Sequence, residues 1–358
     1  MNKINYYTTE KIDKTNAQYR IIYGERSNGK TTACLRVALE NFCNSNFEKS
    51  TGYIRRYRED KKGFSQICSG IINLKWVEKY SRNKYNSIQY WQGKWFLVKL
   101  DKDGVITEKC TNPFMYGFCL SEMERYKSQS FPSINTIIFD EFLTRSLYLQ
   151  DEFILFQNMI STIVRERDNV VIYMLGNAVN MYCPYFEEMG LKNIKNQAIG
   201  TIDVYEYGET KLKVAVERSD GISKKSDVYF AFGNPRLSMI TKGEWEIDIY
   251  PHLPLKYKPK DKILTYYIDF KGEKLACDII YIDKDLFTYV HRKTTPITEE
   301  YYPVYTTEFS SKLNYSNDIM RPRNKVEKLI SKMFVENKVC YQTNEIGEIV
   351  RNFLNYEK

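Results

Sequence analysis

Short uninterrupted apolar runs alternate along the first half of the chain with stretches in which apolar residues recur every third or fourth position. Ile21 and Ile22, TIIF from Thr136 and VVIYML from Val170 read as strands buried on both faces of a mostly parallel sheet. Tyr53 and Ile54 supply another strand. Between them lie helical patterns: TTACLRVALENF from Thr31, a looser one from Ser65 to Tyr80, and DEFILFQNMISTIVRERD from Asp151. In the last, Ile154, Phe156, Met159, Ile160 and Ile163 form the expected buried stripe. From Ser87 to Thr107 the period changes to two around Gln92-Gly93 and Asp103-Gly104, which predicts a small β insertion outside the main alternation. Residues 1 to 18 read as a polar arm that packs on the domain or on a neighbour.

Beyond Pro184 the character shifts. Thr201 to Val216 alternates around Gly208 and runs into the polar stretch RSDGISKKSD, so a first domain is expected over 1–198, a linker region over 199–228 and a second domain over 229–358. In the second domain, strands are expected over Trp245 to Tyr250, Lys262 to Phe270, Lys274 to Ile282 and Leu286 to His291. The last three form a meander joined at Lys271-Gly272-Glu273 and Asp283-Lys284-Asp285. Amphipathic helices over Asn324 to Asn337 and Asn344 to Tyr356 close the chain.

The chemistry concentrates at the end of the first strand. Gly24, Gly29, Lys30 and Thr31 complete the spacing G-x-x-x-x-G-K-T of a phosphate loop, with Glu25, Arg26, Ser27 and Asn28 between the glycines and Thr32 behind. Glycines let consecutive N–H groups turn toward phosphate oxygens, and the helix that follows adds its positive end. Lys30 is placed for the β- and γ-phosphates of ATP, and the Thr31 hydroxyl for Mg²⁺. The run TIIFDEF ends in adjacent carboxylates, and ligands of such sheets bind at the carboxyl ends of strands. Asp140 is therefore the expected partner of the metal, and Glu141 the expected general base for the attacking water. Asn177, after the third run, either orients that water or closes a turn. Arg165 and Arg167 end the helix from Asp151, where they complement its dipole or reach a neighbouring subunit.

Composition narrows the class. The 358 residues, 43% hydrophobic and 15% aromatic, hold enough apolar matter for two cores. The formal charge is +8, and residues 1–200 carry most of it, with 28 Lys and Arg against 21 Asp and Glu. A polyanionic partner suits that excess. Eight cysteines without a C-x-x-C pair and two histidines, His252 and His291, make a poor zinc set and point to reduced thiols. No run approaches the length that crosses a bilayer, no signal-peptide core opens the chain, and a place in the host cytoplasm is expected, with no membrane partner.

With the phosphate loop, TIIFDEF and the later GNAV in view, residues 19 to 190 resemble the DNA packaging ATPases of phi29-like bacteriophages. The resemblance implies an α/β P-loop NTPase of the ASCE type, with a smaller C-terminal α+β domain related to RNase H-like nucleases. GERSNGKT is similar to the family's phosphate loop and marks Arg26 as a phosphate or neighbour contact. YIRRYR from Tyr53 resembles its basic second-strand motif, which implicates Arg56, Arg58, Lys61 and Lys62 in holding DNA. KSQSFP places Lys127, and VRER places Arg165, as groups that reach into the adjoining subunit's site, Arg165 as the arginine finger. GNAV resembles the coupling motif that contains Asn177. The family implies a homopentameric ring that uses Mg²⁺ and ATP to drive double-stranded DNA through the portal of an empty prohead, with a packaging RNA. It also implies transient docking there and absence from the mature virion. Asp248, Asp269, Asp278 and Asp283 are the carboxylates available to a nuclease site, none in a recognisable motif. A helicase or a terminase with nuclease activity is the alternative.

Overall fold

The computed structural model describes residues 6–220, 248–253, 256–282, 285–298 and 300–356. It divides into two compact units, Met1–Glu246 and Ile247–Lys358.

The first unit is built on one sheet. Its strands are β1 (Tyr19–Gly24), β2 (Ser50–Arg55), β3 (Ser87–Trp91), β4 (Lys94–Leu100), β5 (Ile106–Lys109), β6 (Met115–Cys119), β7 (Ile134–Asp140), β8 (Val171–Asn177), β9 (Ile202–Tyr207) and β10 (Leu212–Ser219). They lie in the order β3-β4-β6-β2-β7-β8-β1-β10-β9, with β5 against β4. The run from β6 to β10 is parallel, and β8 separates the phosphate-loop strand β1 from the carboxylate strand β7. The helices are α1 (Glu10–Asp13), α2 (Lys30–Asn44), α3 (Ser69–Asn73), α4 (Trp76–Tyr80), α5 (Glu152–Val164) and α6 (Pro184–Glu188). The apolar runs are continuous because both faces are covered. Ile21, Ile137, Phe139, Ile172 and Met174 enter one core with Phe156, Met159 and Tyr185. Their alternates Ile22, Ile138, Tyr173 and Leu175 enter the other with Leu35, Leu39 and Phe42.

Several expectations are corrected here. The region 199–228 is not a linker over its described part, since β9 and β10 form a hairpin whose β10 pairs parallel with β1. Val214, Ala215 and Val216 are all buried, as an interior strand requires. Residues 221–228 lie outside the described residues. The β insertion joins the sheet through Lys94↔Tyr116 and Trp95↔Met115. The pattern from Ser65 to Tyr80 is two short helices, broken where Lys75 adopts φ 55°. Ile154 is 54% exposed and leaves the buried stripe of α5.

The second unit carries β11 (Lys262–Phe270), β12 (Glu273–Ile282), β13 (Asp285–Arg292), β14 (Val304–Thr306), β15 (Tyr315–Ser316) and β16 (Val339–Tyr341), in the order β15-β14-β11-β12-β13-β16. The expected meander is its antiparallel centre. The three short strands pair parallel at its sides, too brief to show a period. Helices α7 (Lys325–Val335) and α8 (Asn344–Tyr356) bury Ile330, Met333, Ile346, Ile349 and Phe353. Asn324 caps α7 by accepting from the Glu327 N–H at 2.9 Å. Residues 248–250 are not a strand, and 245–247 lie outside the described residues.

Candidate nucleotide site

The site begins where β1 ends. Gly24 approaches β10 so closely that a Cβ would stand 2.5 Å from Ser219 Oγ, and Gly29 takes φ 92° to open α2. Between them Asn28 is buried and donates to Ser219 Oγ (3.0 Å) and to the Asp220 carbonyl (3.4 Å). Lys30 follows, with its ammonium held by the Glu25 carbonyl and by Asn28 Oδ1 (3.2 Å). Burial lowers its pKa to about 8 against the opposing pull of Asp140. An ammonium kept on carbonyl and amide oxygens is ready to exchange them for phosphate.

Facing it, β7 delivers Asp140. Thr31 Oγ1 donates to its carboxylate at 3.2–3.3 Å, and Tyr53 OH, buried on β2, donates to Oδ2 at 2.7 Å. A hydroxyl and a carboxylate at the phosphate end of a cleft are the hard oxygen donors that Mg²⁺ shares with a substrate's phosphates, so the residues fit that ion. Glu141 lies in the left-handed region at φ 60°. Arg56 pins this turn by donating to the carbonyls of Glu141 (3.1 Å) and Phe142 (2.6 Å). The Glu141 carboxylate itself is paired with Arg55 Nη2 at 2.6 Å.

Arg56 therefore departs from the expected DNA contact. It is 6% exposed and ion-paired through Nε with Glu152 at 2.8 Å, whose other oxygen accepts from Tyr185 OH. Successive residues of an extended chain point to opposite faces, so Arg55 meets the Glu141 turn from one side while Arg56 supports it from the other. Arg58, Lys61 and Lys62 lie on a 3₁₀ segment, Arg58–Gln66. Lys61 is paired with Glu122, Arg58 is 64% exposed and 3.5 Å from the same carboxylate, and Lys62 is exposed.

A cleft of about 680 Å³ joins the parts: Ser27, Asn28, Gly29, Lys30, Thr31 and Thr32 on one wall, Asp140, Glu141 and Asn177 on another. Gly24, Glu25 and Arg26 lie outside its lining, with Arg26 exposed. The cleft is also walled by Tyr6, Tyr7, Arg36, Leu74 and Trp76, which sequence spacing does not reveal. The arm places Tyr7 by donating from its hydroxyl to Glu217 (2.7 Å) and from its N–H to the Asn28 carbonyl (3.1 Å).

Lys127 and Arg165 sit elsewhere. Arg165 is exposed at the end of α5 with φ 51° and donates from Nη2 to the Gln129 carbonyl at 2.8 Å. Lys127 is half-exposed, two residues before Gln129, and pairs with Glu124. Arg165 lies beside the segment leading into β7, at the opposite end of the strand from Asp140, about 20 Å along it at 3.3 Å per residue. Arg167 turns inward onto main-chain carbonyls, among them Pro132 at 3.0 Å and Phe131 at 3.1 Å.

In the second unit Asp278 is buried under donors from Tyr257 OH (2.6 Å), Thr265 Oγ1 (2.7 Å) and Lys262 Nζ (3.2 Å), with His291 Nε2 at 3.3 Å. Asp248 pairs with Arg351 at 3.3 Å, and Asp269 stands opposite Lys274 across the meander. Asp283 lies outside the described residues. Among the described residues no three His, Cys, Asp or Glu side chains converge as a metal site.

The chain is 22% identical over 334 residues to the DNA packaging protein of Bacillus phage PZA, a match covering 89% of each chain. It is 21% identical over 334 residues, again 89% of each, to that of Bacillus phage phi29. The fold matches a chain of the bacteriophage phi29 viral genome packaging motor assembly with a TM-score of 0.56 at 17% identity, over 99% of both chains. A model of the podovirus DNA encapsidation protein (Gp16) matches residues 1–357, and the chain belongs to that family.

Proposed function

We propose that this protein is the ATP-hydrolysing subunit of a phage motor that drives double-stranded DNA through the portal into a preformed prohead. The observation that carries the reading is the set gathered around one cleft: Lys30, Thr31, Asp140 and Glu141 converge, with the Lys30 ammonium on a carbonyl and an amide oxygen, Asp140 under the Thr31 and Tyr53 hydroxyls and Glu141 on Arg55. Thr31 and Asp140 would hold Mg²⁺, which when bound would supply positive charge against the phosphates. Lys30 holds the β- and γ-phosphates, and Glu141 takes the proton of the attacking water once Arg55 releases it.

Arg55 gives hydrolysis a route to DNA. Two residues separate it from Arg58, so a pull on the basic segment at the end of β2 is transmitted to the guanidinium that restrains Glu141. Phosphate contacts by Arg58, Lys61 and Lys62 grip DNA without regard to sequence and weaken with salt.

Arg165 and Lys127 complete the site of a neighbouring subunit. The place of Arg165 at the far end of β7 supports this, because a finger so distant from its own phosphates acts in trans or not at all. The assembly we infer is a homopentameric ring on the portal vertex, with a packaging RNA as a further partner, formed in the host cytoplasm and absent from the mature virion. No helix among the described residues is long and apolar enough to cross a membrane. In the second unit, the order β13-β12-β11-β14-β15 supports an RNase H-like framework. Asp278, enclosed by its donors, supports a binding role over a cutting one.

The test is ATP hydrolysis by the full chain with and without duplex DNA, beside packaging into purified proheads. The reading requires DNA-stimulated turnover abolished in Glu141→Gln together with packaging. Turnover equal in wild type and Glu141→Gln refutes it.

A further inference from the structure

The cleft continues beyond the phosphates. Thr32 and Arg36 lie one turn apart on α2 and both line it. Opposite stands Gly70 of α3, where a Cβ would meet Thr32 Oγ1 at 3.7 Å. From Lys30 to Arg36 the groove follows α2 for about 9 Å at 1.5 Å per residue. That length carries a nucleotide from its phosphates across the sugar.

Three observations mark the far end as prepared for a ligand. The left-handed Lys75 breaks α3 from α4 and turns Leu74 and Trp76 to the cleft, where Leu74 remains 49% exposed. The Arg36 guanidinium stands 6.0 Å from the centroid of the Trp76 ring. Arg36 Nε is buried without a hydrogen-bond partner. An unmade bond from a buried donor is costly, and a bound acceptor removes that cost.

We propose that Trp76, Leu74 and Arg36 form the nucleobase subsite of this cleft, with a purine as occupant. The proposal rests on the nucleotide reading above and specifies which part of the ligand each wall takes. The base stacks on the indole with Leu74 at its border, and Arg36 Nε donates to a ring nitrogen on its edge. A two-ring base overlaps the indole more fully than a one-ring base, which favours ATP over CTP. Such a subsite recognises the base through its face and one donor, independently of the phosphate loop.

The test separates base from phosphates. Calorimetry on the full chain measures the affinities of Mg-ATP, Mg-CTP and Mg-tripolyphosphate for wild type, Trp76→Ala and Trp76→Phe. Stacking on an aromatic side chain predicts that Trp76→Ala weakens ATP about 5- to 100-fold. Tripolyphosphate binding stays within about twofold, which also reports an intact phosphate loop, and Trp76→Phe recovers most of the ATP affinity. The subsite is refuted if Trp76→Ala leaves ATP binding unchanged, if it weakens ATP and tripolyphosphate alike, or if wild type binds CTP as tightly as ATP. If wild type binds neither ATP nor tripolyphosphate, the nucleotide reading itself falls.

Discussion

Asp140 and Asp278 are both nearly buried aspartates on strands, yet their surroundings give them opposite uses. Asp140 ends a parallel strand at the mouth of a cleft and accepts from Thr31 and Tyr53, with Lys30 close by. Asp278 sits in the middle of an antiparallel meander, where Tyr257, Thr265, Lys262 and His291 enclose it. One carboxylate adjoins space for an ion and phosphates. The other has its oxygens taken by the protein. What distinguishes the two carboxylates is the open volume beside Asp140, since both are hydrogen-bonded and both are buried.

The sharpest break between the two units is catalytic. Glu141→Gln should lower ATP turnover about 10²- to 10⁴-fold, the range for a lost general base, with ATP binding retained in equilibrium titration. Asp278→Asn should leave turnover per assembled subunit within about twofold.

Stability should divide the arginines of β2 and its sequel. Arg56→Ala leaves Glu152 unpaired in the core and should destabilise the first unit by about 3–5 kcal/mol, read by calorimetric melting. Lys62→Ala should leave the melting temperature unchanged and reduce the slope of log DNA affinity against log salt by about 1.

Acid should weaken the second unit through Asp278. The hydrogen bonds and the neighbouring Lys262 hold the Asp278 carboxyl well below its ordinary range, against the effect of burial. Its folded pKa is below the unfolded value of about 3.9, so its stabilisation is complete above that value, declines below it and is lost as pH falls through the folded pKa. Asp278→Asn should cost about 1–3 kcal/mol near neutrality. The gap from wild type should close below about pH 4 in denaturant titrations of the full chain.

The smallest effect concerns Lys30. Its pKa of about 8 comes from burial, and a bound triphosphate favours the ammonium and raises it. ATP binding should take up a fraction of a proton between pH 8 and about 9 and almost none near pH 6.5. Calorimetry in buffers of different ionisation enthalpy reads this directly.

Much of this site was legible in the chain because its signals are local. The phosphate loop spans eight consecutive residues, and TIIFDEF joins a buried run to its carboxylates. The meander was legible for the same reason, three long alternating strands with tight turns. Tyr53 and Arg55 were not, because their partners Asp140 and Glu141 stand 87 and 86 residues away and meet them only through the β2–β7 pairing. YIRRYR reads as one basic cluster until the strand's period sends Arg55 and Arg56 to opposite sides. Thr201 to Val216 shows its hairpin but not its sheet, since parallel pairing of β10 with β1 leaves no turn to mark it. Trp76 lies inside the loose helical pattern from Ser65 to Tyr80, and nothing in that spacing marks the break at Lys75 that turns it to the cleft.

The central claim is that each ATP site is completed by a neighbour's Arg165. It is tested by mixing inactive Arg165→Ala and Glu141→Gln proteins and measuring ATP turnover per subunit over a range of concentrations, with duplex DNA present. Removal of such a finger alone should cost about 10³- to 10⁵-fold. The account predicts that the mixture regains turnover, because some interfaces pair an intact Glu141 with an intact Arg165, and that wild-type turnover per subunit rises with concentration. A mixture as inactive as its components, with wild-type turnover independent of concentration, would contradict it.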